Sequence, residues 1–147
     1  MMKSILYLLL ATTLFTQCSN PKKAAEKEAE EQRKEARNNL KNGIVFHRID
    51  DKASVYINNK LVYESDWLAD QEDINIVLDL EKYLKSPEDV IRIVLTNKEC
   101  KDCDSNWIVF IYELFKNGEA EDFIHEDAPM MNDFGEVWEM EYVWGDI

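Results

Sequence analysis

From residue 43 onward the chain is written in a period of two. Ile74, Ile76, Leu78 and Leu80 alternate with Asn75, Val77 and Asp79, and Ile91, Ile93 and Leu95 alternate with Val90, Arg92 and Val94. Successive side chains of a β-strand point to opposite faces, so this spacing gives each segment one face to bury. Residues 44–49 form a further run, and residues 54–57 and 60–63 flank Asn58 and Asn59, a pair that accepts the left-handed conformations of a tight hairpin turn. Residues 107–115 are a long apolar strand closing at Asn117 and Gly118, while Trp138, Met140, Tyr142 and Trp144 share one face of a strand whose other face carries Glu139 and Glu141. Only residues 80–85 read as a brief helical turn. Six or more short strands predict an all-β fold, an antiparallel sandwich rather than an α/β sheet. Residues 43–147 are long enough to bury one core.

Upstream, residues 21–41 are almost entirely Ala, Glu, Lys, Arg, Gln and Asn. Good helix formers with opposite charges four apart, such as Glu30 and Lys34, predict a charged, partly helical spacer, and the lack of an apolar stripe predicts a solvated one. At about 1.5 Å per helical residue it would hold the domain some tens of Å from its attachment point. Charge divides at the same boundary. The spacer has seven basic and five acidic side chains, whereas residues 42–147 have nine basic against 25 acidic, a net of −16. That charge excludes a general nucleic-acid binder, which needs cations to meet phosphates. It should also repel anionic lipid surfaces; its plain reading is solubility, and its sharper one a cationic partner or Ca²⁺.

The chain opens with Met1, Met2 and Lys3, then a stretch rich in Leu, Ile, Ala and Thr that ends at Gln17 and Cys18. One early lysine before about a dozen apolar residues is the layout of a secretory signal, too short to cross a bilayer of roughly 30 Å. The cysteine at its end resembles the lipobox of bacterial lipoproteins, with Gln17 where a small residue is usual. The resemblance implies a signal peptide over 1–17, a lipid on Cys18, a tether over 18–42 and a domain over 43–147. Ser19, rather than Asp, after the cysteine points to the outer membrane, facing the periplasm or the exterior. The remaining cysteines, Cys100 and Cys103, are spaced for a short disulfide, half of a metal site or a redox dithiol. Zinc would need two more ligands, and His47 and His125 have no partner at motif spacing. The polar flanks of the pair favour a structural disulfide.

A second resemblance lies within the domain. Asp50, Asp51, Ala53, Val55, Tyr56, Ile57, Asn58, Asn59, Lys60, Leu61 and Val62, then Ile76, Leu78, Asp79, Leu80, Tyr83 and Leu84, then Val90, Ile91, Ile93, Val94, Leu95 and Asn97, are similar to the galactose-binding-domain-like jelly roll. The likeness is strongest to the sugar-binding domain at the front of family 2 glycoside hydrolases. Asn59 stands where that family prefers Gly, and Ser86, Pro87, Glu88 and Asp89 replace its usual Gly-Lys-Asn turn. The resemblance implies a jelly-roll sandwich and, more weakly, sugar binding.

No nucleophile elbow, Ser/His/Asp set or phosphate loop is present, so no enzyme and no cofactor are expected. Carboxylate pairs are too common in so acidic a domain to indicate glycosidase chemistry. Trp67, beside Asp66 and Asp70 in an inter-strand segment, could stack on a sugar ring, or simply close the rim of the core. Trp107, Trp138 and Trp144 read as core. Glu119, Glu121, Asp122, Glu126 and Asp127 match no ion loop and read as a solvated acidic turn. Two function classes remain: a surface or periplasmic module that binds another protein or, through Trp67, a carbohydrate, and a dedicated partner lipoprotein, such as an inhibitor or immunity factor, whose acidic surface masks a basic site on another protein.

Overall fold

Among the described residues eight strands and one helix form, most of the strands where the alternation places them. The computed structural model describes residues 21–68, 74–99, 107–129 and 134–147. Helix α1 spans Pro21–Asn39, and the strands are β1 Gly43–Ile49, β2 Lys52–Ile57, β3 Lys60–Glu64, β4 Ile76–Asp79, β5 Val90–Asn97, β6 Trp107–Lys116, β7 Glu119–Pro129 and β8 Gly135–Val143. They build two four-stranded antiparallel sheets, ordered β4-β1-β6-β7 and β3-β2-β5-β8. The inner faces share one core, with Ile44, Phe46, Phe110, Tyr112 and Leu114 of the first sheet meeting Val55, Ile57, Ile91, Ile93 and Leu95 of the second. This is an all-β sandwich.

The period of two breaks once inside β1, and the break decides what is buried. Ile44 and Phe46 point inward, so strict alternation would send Ile49 to the outer face. A register shift against β6 between Phe46 and Arg48 makes His47 an extra residue and flips the parity behind it. Ile49 is therefore fully buried. In β2 and β5 no such break is needed: Ala53, Val55 and Ile57 lie opposite Leu95, Ile93 and Ile91 in unbroken register. The outer face of that sheet is covered by long polar side chains, with the Arg92 guanidinium 4.4 Å from the Tyr56 ring centroid and 3.3 Å from Glu139.

Antiparallel pairing sorts the connections between the two ends of the sandwich. At one end, here the turn end, lie the β2–β3, β4–β5 and β6–β7 connections; at the other, the loop end, lie β1–β2, β3–β4, β5–β6 and β7–β8. The turn end is tight. Asn58 and Asn59 have φ of 50° and 63°, and Asn117 and Gly118 have φ of 55° and 87°, as two-residue hairpins with the right-handed strand twist require. Asn58 also has work that glycine could not do. Its amide donates to Asp89 Oδ1 at 2.7 Å and its Oδ1 accepts from the Val90 N–H at 2.9 Å, tying one turn to its neighbour.

Asp89 is the hub of that end. Its carboxylate accepts the N–H groups of Lys85 and Ser86 as well as the Asn58 amide, and these donors, the Lys85 N–H foremost, hold its pKa below the usual aspartate value. A group depressed in the folded state contributes stability that is complete above its unfolded pKa, about 3.9, and disappears as pH falls through the folded value. Asp89→Asn should therefore lower the urea midpoint at pH 7 and change it much less at pH 3, flattening the acid limb. A variant that loses equal stability at both pH values would show that the carboxylate charge plays no part.

Two features differ from the sequence reading. Residues 119–129 form β7, the longest strand and an edge of the first sheet, instead of a solvated acidic turn. The spacer is helical as expected, but its end is not solvated. Leu40 is buried against Val45, Phe115 and Val77 on the outer face of the first sheet.

Candidate functional site

The outer face of the first sheet becomes a site because a charged helix ends on it. Arg37 in the last turn of α1 donates through Nη2 to both carboxylate oxygens of Glu113, at 3.0 and 2.7 Å. Its guanidinium also lies 5.9 Å from the Phe115 ring centroid. Glu113, only 16% exposed, meets His47 Nε2 at 3.2 Å, and His47 Nδ1 lies 3.0 Å from Asn75 Oδ1. A mostly enclosed carboxylate thus sits between a guanidinium and an imidazole. Glu30, Arg33, Lys34 and Arg37 form one wall of a groove whose other wall is Val45, Asn75 and Val77. Beside this seat Phe123 of β7 stands 57% exposed, its ring 6.5 Å from that of His47. The only apolar sign of the seat in the sequence is Leu40, alone after a charged run.

At the loop end the structure surrounds Trp67 with cations. The ring is 50% exposed, with Lys52 Nζ 5.4 Å and Lys98 Nζ 6.0 Å from its centroid. Lys52 opens β2 and Lys98 follows directly on β5, strands that lie side by side, so β-pairing brings the two lysines together. Asp51 and Leu68 exchange backbone hydrogen bonds in an isolated bridge that fixes this segment against β2. Asp66 is exposed next to Trp67, its backbone carbonyl accepting from Ser65 Oγ at 2.8 Å. Asp70, Cys100, Cys103 and Cys18 lie outside the described residues.

The acidic residues of β7 do not converge on an ion. Asp122 and Glu126 pair with Leu114 and Phe110 and share their inward face, whereas Asp127 pairs with Val109 on the opposite face. Asp122 is already engaged, accepting from Tyr142 Oη at 2.7 Å and from the Phe123 N–H at 2.9 Å. Tyr142 in turn accepts the Tyr112 hydroxyl at 2.8 Å, so a hydrogen-bonded chain crosses the seam between the sheets. Burial pushes both phenols well above the ordinary tyrosine range, and this network holds structure rather than a reactive phenolate. Among the described residues no group of three or more His, Cys, Asp or Glu side chains could hold a metal ion. Trp138 and Trp144 pack against the core as expected; the Trp107 side chain lies outside the described positions.

The fold and these surfaces define an all-β sandwich with a helix seated on one outer face. A scan against family models, a search of curated proteins and a search of solved structures each return no match for the chain.

Proposed function

We propose that this chain is a non-catalytic binding module, exported and lipid-anchored at Cys18, whose domain engages a cationic protein partner. The observation that carries the reading is charge segregation: residues 42–147 hold a net −16 beside a spacer of net +2. Within this reading residues 1–17 are a signal peptide, the anchor sits in the outer membrane and Cys100 pairs with Cys103. The sandwich is a galactose-binding-like jelly roll, a topology suggested by the nesting of the β1–β6 pair around the β2–β5 pair across the two sheets. The carbohydrate alternative draws on the exposed ring of Trp67, but Lys52 and Lys98 lie over that ring and a stacking sugar would have to displace them.

Salt separates the two. The Debye length shrinks from about 30 Å at 0.01 M to about 8 Å at 0.15 M, so a partner steered by the acidic field should associate fast at low salt and weaken as salt is added. A sugar stacked on Trp67 should be nearly indifferent to salt. With a partner captured from membranes, association rates across that range and in Trp67→Ala decide the matter. A flat salt profile together with a damaging Trp67→Ala would replace the protein partner by a sugar.

A further inference from the structure

The row of residues that carries Glu113 crosses the whole of the first sheet. Val77 of β4 lies opposite Val45 of β1, Val45 opposite Glu113 of β6, and Glu113 opposite Phe123 of β7. Directly paired residues share a face, so all four project on the outer side, and with strands about 4.8 Å apart the row runs about 14 Å. It reads apolar, apolar, acid, aromatic. Helix α1 closes only part of it. Its groove takes in Val77 and Val45, and Val45 is fully buried, whereas Phe123 at the far end is 57% exposed. The face is wider than the helix that sits on it.

The helix is also lightly held. Residues 30–39 are all exposed, and the ion pair to Glu113 is made by an Arg37 side chain that is 46% exposed, an interaction that water and salt weaken. Lys34, which lines the groove, is held at 2.6 Å by Glu30 of its own helix, so one groove cation is neutralised within α1 rather than by the sheet. The linker behind the helix is fixed independently. The Gly118 N–H donates to the Lys41 carbonyl and the Leu80 N–H to the Asn42 carbonyl, both at 2.9 Å, and the Asn117 N–H donates to Asn42 Oδ1 at 3.0 Å. With residues 41–42 pinned to the sandwich, α1 can lift about residues 38–40 and leave the strands in place.

We infer that α1 is an exchangeable cover over the docking seat of the cationic protein partner, and that the row Val77–Val45–Glu113–Phe123 receives a basic, amphipathic helix of that partner. The inference rests on the proposed protein partner and names where it binds. The segment seated there shows the chemistry the seat accepts: a helix that lays an arginine fork on Glu113 and over the ring of Phe115. An arginine of the partner takes the same carboxylate, which a planar guanidinium grips bidentately and an ammonium does not. An apolar side chain of the same helix covers Phe123, which α1 leaves open. A partner helix with no acid at the place of Glu30 keeps its groove cation for the acidic domain. This is helix-in-groove recognition with α1 as the internal competitor, and the partner's apparent affinity falls with the fraction of chains whose cover is closed.

The probe is a fluorescein-labelled synthetic peptide of residues 21–42 with its five glutamates replaced by glutamine. Its binding to the full mature chain is read by anisotropy at about 0.15 M salt, where the general acidic field is screened. Arg37→Glu in the protein opens the seat and should tighten binding about tenfold or more, by removing the internal competitor. Arg37→Gln, which adds no negative charge, should act in the same sense. Glu113→Gln in either background should abolish the gain, whereas Glu139→Gln, an equal charge change on the outer face of the other sheet, should not. Phe123→Ala should weaken the opened complex. Binding that ignores Arg37→Glu, or equal effects of Glu113→Gln and Glu139→Gln, would overturn the seat, because the peptide would then follow only the diffuse charge. In the parent chain, saturating peptide should speed hydrogen exchange across residues 30–39 and leave β1 and β6 as they were; unchanged or slowed exchange there would show that α1 does not give way. A parent chain that sediments as a dimer, with α1 traded between copies, would make a second copy the occupant and refute the assigned partner. If the salt titration of a captured partner points to a sugar, the partner reading falls by itself, while the peptide still decides whether α1 covers a seat.

Discussion

Phe110→Ala should unfold a large part of the population at temperatures where the parent chain is fully folded. Phe110 is completely buried in β6, and its ring lies 5.8 Å from Phe46, 5.3 Å from Tyr112 and 5.2 Å from Trp138 by centroid. Those three rings come from both sheets, so the phenyl group is the common wall of the aromatic cluster joining them. Truncation removes the transfer free energy of the ring and leaves a cavity that rigid neighbours fill poorly, a combined cost of about 3–5 kcal/mol. A domain of this size has a total stability of about 5–15 kcal/mol. The urea midpoint should fall steeply with little change in slope, since a similar surface is exposed on unfolding. A loss below about 1 kcal/mol would mean that the two sheets do not meet through this cluster.

Gly43→Ala should produce the second large loss, through backbone contact rather than core volume. A Cβ at residue 43 would sit 2.2 Å from the Leu78 carbonyl oxygen and 2.7 Å from Leu40 Cδ1. The carbonyl belongs to β4, which is paired in register with β1, so relief requires the two strands to separate. Overpacking of this kind costs about 1–3 kcal/mol, and here the loss is focused on one edge. Hydrogen exchange should accelerate first in residues 76–80, where the Leu80 N–H donates to the Asn42 carbonyl at 2.9 Å, and the seat of Leu40 should loosen with it. Unchanged exchange across β4 together with unchanged stability would show that the edge strand yields without cost. The same crowding bears on the docking of α1, because Leu40, directly after the helix, packs on the sheet.

The sequence by itself determined what is local. The strands with one buried face announced themselves by their period of two, because alternation is a property of a single segment. The two hairpins were legible in the residue pairs at 58–59 and 117–118, because left-handed backbone has few tolerant residues. Trp67 was legible as an aromatic between strands, but whether it closed the core or stood exposed was not. β7 was not, since an edge strand carries acids on both faces and its pairing with β6 is made by the partner. Tertiary structure alone decided the remainder. The shift at His47 that buries Ile49 has no local signal, because parity has meaning only against the strand opposite. The two lysines reach Trp67 only because β2 and β5 are neighbours. The docking of α1 is carried by Leu40 and by an Arg37–Glu113 pair 76 residues apart, and no window of sequence contains both partners of a contact that closes only when the sheet exists.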